Sequence, residues 1–190
     1  MVRLDPIAAD IADPRVRRVF DVFSDAGRDV PMLYRLLGNS PAMLDAWVGL
    51  AWPLRSEPTT TRALRELLIM RVALLTNAGF EWQAHWPAAV GAGVSPDQLA
   101  ALPSWRESDH FSAAEKVALR CTDEMIETGG ASAAAMEELR GHYTDEQCIE
   151  LVLTSAFYSC VSHTLLSLGM EADDRAEDDG ALQVFRTLTG

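Results

Sequence analysis

Apolar residues recur along this chain at intervals of three and four, the period of helices that bury one face. Asp13-Pro14 reads as a cap followed by the first turn of a helix whose apolar positions are Val16, Val19, Phe20 and Phe23. Ser40-Pro41 repeats the device and sets Met43, Leu44, Trp47 and Val48 on one face, with Pro53 and the stretch SEPTTT expected to end that helix. From Thr61 to Asn77 the buried set is Leu64, Leu67, Leu68, Val72 and Leu75, a broad stripe. Asn77-Ala78-Gly79 stops it, and a second helix from Phe80 to about Val90 follows at once, so the two predict a tight helical hairpin.

Three further starts have capping-box spacing: Ser95 with Gln98, Ser112 with Glu115, and Thr144 with Gln147. The last opens a long apolar segment, Cys148 to Leu168, closed by Gly169. Strand alternation is absent, so the fold class is all-α. The organisation expected is one domain over 1–190, with an N-terminal helical extension at 1–53 and an acidic tail at 171–190. The final ALQVFRTLTG is apolar enough to dock, a neighbouring subunit being one candidate.

Composition narrows the function. A net charge of -12 argues against nucleic acid as a partner, since that affinity draws on clustered Lys and Arg. Much of the acidity sits in the run Glu171 to Asp179, which reads as solvated tail. Cys121, Cys148 and Cys160 are odd in number and widely spaced, which fits a reducing cytoplasm and neither a disulfide framework nor a zinc knuckle. Uninterrupted apolar runs never reach membrane-spanning length, and the N-terminus has no export pattern, so no membrane association is expected.

Candidate chemistry concentrates in the hairpin. Glu81 and His85 stand four apart on one helix face, the spacing at which a carboxylate orients an imidazole and favours its charged form. Such pairs are also common on solvated surfaces. Glu66, on the preceding helix, is brought back alongside them by the hairpin; burial at a core boundary would raise its pKa as a proton donor or shuttle requires. Its plain alternative is a surface pair with Arg62 at i,i+4. Trp82 and Trp86 form an aromatic edge beside the acid/base edge, which packs in the core or walls a pocket for a small cyclic substrate. Tyr158 and His163 read as packing residues. A metal site is not expected: no HExxH is present, and a ligand set would have to be assembled from Glu66, Glu81, His85, His110 or His163. No phosphate loop or nucleophile elbow occurs.

The stretch RELLIMRVALLTNAGFEWQAHWPAAVGAGVSPDQLAAL resembles the central segment of carboxymuconolactone decarboxylase and alkylhydroperoxidase D-like proteins, and the resemblance extends over about Leu54 to Met170. The alkylhydroperoxidase D pattern is a Glu, eleven residues, Cys-x-x-Cys, three residues and a His. Glu66 and His85 fall on its Glu and His, while Ala78 and Glu81 occupy the two cysteine positions. The resemblance implies an alkylhydroperoxidase D-like helical fold with a central hairpin, an active site there, and assembly into dimers, trimers or hexamers. Without the dithiol, the leading expectation is an enzyme using no redox cofactor. It would perform acid/base chemistry (decarboxylation, isomerisation or a related lyase reaction) on a small cyclic or lactone-like carbonyl compound. In that reading His85 is acid/base, Glu81 orients it, and Glu66 shuttles a proton or polarises the substrate. Trp82 and Trp86 wall the site, and Arg71, with Arg62 and Arg65 near the motif, meets an anionic substrate. Two alternatives stand beside it: a thiol-dependent hydroperoxidase using the remaining cysteines, and a noncatalytic oligomeric binding protein.

Overall fold

The cap signals form the helices they predict. In the computed structural model, which describes residues 2–8, 10–172 and 180–190, α1 spans Pro14–Ser24, with the Asp13 carboxylate accepting from the Arg15 N–H. A short α2, Met32–Leu37, was not signalled by any cap residue. Helix α3 spans Pro41–Ser56 and runs through Pro53 instead of stopping there. A proline so close to the C-terminus removes one intrahelical hydrogen bond, and the last turn tolerates that loss.

The chain divides into two compact units, Met1–Glu57 and Pro58–Gly190. The expected single domain is thus two units, and the N-terminal extension is a folded body, closing at Glu57 and not at residue 53. Its core joins Val16, Val19, Phe20, Tyr34, Leu44 and Val48, with Phe23 and Trp47 packed at its edge. Met43, expected on the same face, is exposed.

The second unit is organised by α4, Arg62–Leu75. Every residue from Leu64 to Ala73 is buried, so α4 is a core helix enclosed on all sides. Thr61 caps it and Asn77, at φ 54°, turns the chain back through the left-handed region that Asn tolerates. Helix α5, Gly79–Gly91, returns along α4 and completes the hairpin, carrying an exposed Pro87 within its last turns. Then come α6, Pro96–Ala100, the short 3-10 turn Leu102–Ser104, α7, Ala113–Thr128, and α8, Ala133–Arg140, which the sequence reading did not separate. Helix α9, Asp145–Leu168, packs along α4 and α7 and ends at Gly169 in the left-handed conformation. The capping boxes at Ser112–Glu115 and Thr144–Gln147 form in full. At Ser95 the hydroxyl caps, but the Gln98 side chain turns away to the His110 carbonyl and Glu115. The described residues contain no strand.

The C-terminal segment forms α10, Ala181–Thr189, and packs on α5 of its own unit. The tail expectation is corrected from residue 180 onward; residues 173–179 of the acidic run lie outside the described residues. Trp82, fully buried, donates its indole N–H to the Ala181 carbonyl at 2.8 Å, and its ring meets Phe185 at 5.6 Å. Gly79 packs closely at this junction: a Cβ there would lie 3.2 Å from the Phe185 ring, which would have to give by a few tenths of an ångström. Phe185→Ala is expected to cost about 3 kcal/mol by the usual scale for a buried aromatic, against less than about 0.5 kcal/mol for Ile149→Ala at an exposed position. Urea unfolding followed by circular dichroism checks the difference.

Candidate active site

Four charged side chains meet where α4 and α5 run side by side. Arg62 and Glu66 lie one turn apart on α4, Glu81 and His85 one turn apart on α5, and the hairpin apposes the two pairs. His85 donates from Nδ1 to Glu66 Oε2 at 2.8 Å, and Nε2 stands 3.2 Å from Glu81 Oε1. The second oxygen of Glu66 has no aligned hydrogen bond, but the Arg62 guanidinium sits on it as an ion pair, which satisfies its charge without good angular geometry. From α9, the Tyr158 ring packs edge-on to the imidazole with centroids 5.0 Å apart.

Burial differs sharply within the group. Glu66 is fully enclosed, Glu81 and His85 keep a sliver of surface, and the Arg62 side chain is 37% exposed. The edge of the cluster nearest solvent is therefore the Arg62, Glu81 and His85 side. A fully enclosed Glu66 has no surface to offer a substrate, so it holds Nδ1 and cannot polarise a ligand directly. Of the two ring nitrogens Nε2 is the more loosely bonded, because a 3.2 Å hydrogen bond is the easier one to exchange.

The same geometry fixes the charge on His85. Burial alone would draw the imidazole towards its neutral form, but the hydrogen bonds and negative charges of Glu66 and Glu81 outweigh it and push the pKa up to about 9. At neutral pH the ring is an imidazolium between two carboxylates. The unperturbed imidazole value of about 6.5 does not apply in this environment.

Three expected substrate-binding residues have other partners. Arg71 spends its guanidinium on Asp123 of α7, at 2.6 and 3.1 Å, and on the Leu102 carbonyl. Asp123 also accepts from Trp105 and Arg106, which makes it the centre of a buried polar network that sequence spacing did not reveal. Trp82 is tied to α10, and Trp86 is buried against it at 5.7 Å. Both tryptophans build the core behind the cluster and do not wall a pocket in it. Arg65 is buried and turned to Thr60, leaving Arg62 as the motif arginine with exposed surface. Tyr158, read from sequence as a packing residue, touches the site; its buried position one heptad after Leu151 was the available signal.

The described residues include a cavity of about 300 Å³ where the N-terminal ends of α4, α7 and α9 meet, lined by Thr60, Thr61, Ser112, Tyr143 and Gln147 among others. Ala63 and Leu64 of α4 also line it, whereas Glu66, Glu81 and His85 do not. Of the thiols, Cys121 and Cys148 are buried; burial pushes Cys121 up to about 11 and raises Cys148 as well, which suppresses both thiolates. Cys160 is exposed on α9. Among the described residues, no group of three His, Cys, Asp or Glu is placed to hold a metal ion.

Comparison with known proteins agrees with this architecture. The profile of the carboxymuconolactone decarboxylase family matches residues 41–124, which include the whole α4–α5 hairpin. The uncharacterized protein YdfG of Bacillus subtilis is 28% identical over 99 residues, 51% of this chain and 67% of that protein. The crystal structure of an uncharacterized peroxidase-related protein from Silicibacter sp. TM1040 superposes with a TM-score of 0.77 at 19% identity, covering 95% of each chain. The debrominase Bmp8, as a cysteine-to-alanine variant in complex with 2,3,4-tribromopyrrole, superposes with a TM-score of 0.75 at 15% identity over the full length of both chains. The fold is the all-helical alkylhydroperoxidase D-like fold. Residues 41–124 match the carboxymuconolactone decarboxylase family, and within that stretch Ala78 and Glu81 stand where the dithiol pattern has cysteines.

The raised pKa of His85 has a stability consequence. Its folded value of about 9 lies above the unfolded value near 6.5, so the stabilisation is fully present below about pH 6.5 and is lost as pH rises through about 9. The unfolding free energy from urea titration should therefore decline between those limits, by about 3 kcal/mol in total, and the decline should flatten in His85→Gln. An equally steep decline in that variant contradicts the assignment.

Proposed function

We propose that this protein is an acid/base enzyme that decarboxylates, isomerises or otherwise cleaves a small cyclic or lactone-like carbonyl compound with its own side chains. The observation that carries the reading is the buried imidazolium: His85 is charged, oriented through Nδ1, and presents Nε2 next to the Glu81 carboxylate. Glu66 is the positioning residue, since its enclosed carboxylate fixes the ring and holds its charge.

In a decarboxylation, the bond to the departing carboxylate breaks and its electron pair passes to the adjacent carbon as an enolate of the ring carbonyl. The Nε2–H of His85 supplies the proton that quenches that carbon, and solvent restores it. In an isomerisation, Glu81 takes the proton from carbon while Nε2–H protonates the carbonyl oxygen, and the pair exchanges roles to finish. Arg62, half-exposed beside the cluster, is placed to receive a substrate carboxylate. The enclosed and thiolate-suppressed Cys121 and Cys148 weigh against the dithiol chemistry suggested by the names of peroxidase-related neighbours.

The test is turnover of 4-carboxymuconolactone and a panel of related lactones and β-keto acids by the unmodified protein, His85→Gln, Glu81→Gln and a Cys-free triple variant. His85→Gln is expected to lower kcat at least about 100-fold, the usual worth of a general acid, and the Cys-free protein should keep its activity. The rate should hold across neutral pH and fall through about pH 9, because the charged ring is the active form. Glu66→Gln should move that limb to lower pH, a displacement that loss of packing alone does not cause. Activity that survives His85→Gln, or that disappears with the cysteines, contradicts the reading.

A further inference from the structure

The two carboxylates do not hold the His85 ring equally. Nδ1 is tied to Glu66 at 2.8 Å, whereas Nε2 stands 3.2 Å from Glu81, so the Nε2 side of the ring is the weaker-held of the two. A third contact bears on the same ring. Tyr158 of α9 meets the imidazole with the ring planes at 87° and the centroids 5.0 Å apart, a perpendicular arrangement that aromatic pairs favour beyond the area they bury. Tyr158 has its own backing: it is 2% exposed, and the Phe157 ring packs against it with centroids 5.7 Å apart. Its helix is also pinned to the hairpin. Two turns before Tyr158, the Glu150 carboxylate accepts from the Thr59 and Thr60 N–H groups at 2.7 and 2.9 Å, at the entrance to α4, the helix that carries Arg62 and Glu66. A side chain so enclosed, on a helix so anchored, has little freedom to yield to the imidazole.

We propose that Tyr158 is a second positioning residue, beside Glu66, for proton transfer at Nε2: its aromatic ring, rather than its hydroxyl, keeps the His85 imidazolium seated between the two carboxylates with Nε2–H directed at the Glu81 edge. This rests on the acid/base reading of His85 and names the group outside the charged cluster on which that reading depends. The charges facing the ring come from α4, where Glu66 is paired with Arg62, and from α5, where Glu81 lies one turn away. Helix α9 adds none, since it has no Asp, Glu, Lys or Arg from Leu151 to Leu168. Tyr158 therefore acts on His85 through shape: it leaves the charge balance alone and governs how well both N–H groups line up with their acceptors. That alignment has two consequences. Hydrogen bonds to both carboxylates favour the charged ring, so a ring free to swing loses part of its hold on the proton. An acid displaced by about 1 Å also loses up to about 100-fold in rate.

Two variants separate the ring from the hydroxyl. Tyr158→Leu removes the ring, and Tyr158→Phe restores it without the hydroxyl. Tyr158→Met, which is longer and adapts to the space, gives the same comparison where the leucine variant fails to fold. Leu165→Ala, buried two turns further along α9, is the control for lost packing. The first readout is the His85 ring itself, followed by nitrogen-15 NMR in the full chain. In Tyr158→Leu the titration midpoint should fall from about 9 towards 6.5 by about one pH unit or more. The ring N–H protons should exchange with water at least about 10-fold faster. Tyr158→Phe should restore both, and Leu165→Ala should leave both in place while unfolding at lower urea. On a substrate that the unmodified protein turns over, Tyr158→Leu should lower kcat about 10- to 100-fold with KM nearly unchanged. The titration needs no turnover, so a substrate panel that fails while the midpoint still follows the ring counts against the acid/base reading alone. An unchanged midpoint and exchange rate in Tyr158→Leu, a shift in Tyr158→Phe as large as in Tyr158→Leu, or an equal shift in Leu165→Ala overturns the proposal.

Discussion

The buried pair Glu66–His85 constrains the rest of the second unit. A carboxylate enclosed in the core is tolerable only when its charge is met, and breaking such a pair leaves one charge uncompensated at a cost of about 3–5 kcal/mol. Here the charge is met from both sides, by Arg62 along α4 and by His85 across the hairpin. That requirement fixes how α5 lies on α4. It also explains why α4, enclosed on every side, carries three charged residues within its buried stretch: Arg65, Glu66 and Arg71 each have a dedicated partner. Once Glu66 and His85 are joined, Glu81 follows one turn away on the imidazole's other nitrogen, and α9 brings Tyr158 against the ring.

This arrangement changes what the scaffold is able to do. Where the dithiol pattern has its second cysteine, this chain has the Glu81 carboxylate, 3.2 Å from Nε2. A thiolate in that place is a nucleophile and an electron donor; a carboxylate is a proton acceptor and an anchor for the imidazolium. In the proposed reading two exchanges of side chain, to Ala78 and Glu81, turn the hairpin from sulfur chemistry to proton chemistry, and the buried Cys121 and Cys148 do not restore the sulfur.

The hairpin and its grouping of Glu66, Glu81 and His85 were legible in the sequence because they follow from local rules: capping, the turn at Asn77 to Gly79, and the i,i+4 spacing. The partners of Arg71 and Trp82 were not, since they lie far along the chain, at Asp123 and Ala181, and nothing local distinguishes a guanidinium bound for a buried carboxylate from one bound for a ligand. Pro53 was misread as a stop because packing can hold a helix through a lost hydrogen bond near its end. The independent core of the first unit depends on contacts among α1, α2 and α3, and α2 has no cap to announce it. The charge on His85 depends on how deeply Glu66 is enclosed, which only the assembled structure reveals.

The measurement that bears most directly on this account is a nitrogen-15 NMR titration of the His85 ring, with the signals assigned by loss in His85→Gln. The account predicts that both ring nitrogens carry protons at neutral pH and that the ring loses its charge only near pH 9. A neutral ring at pH 7, with one bare nitrogen and a midpoint near 6.5, contradicts it.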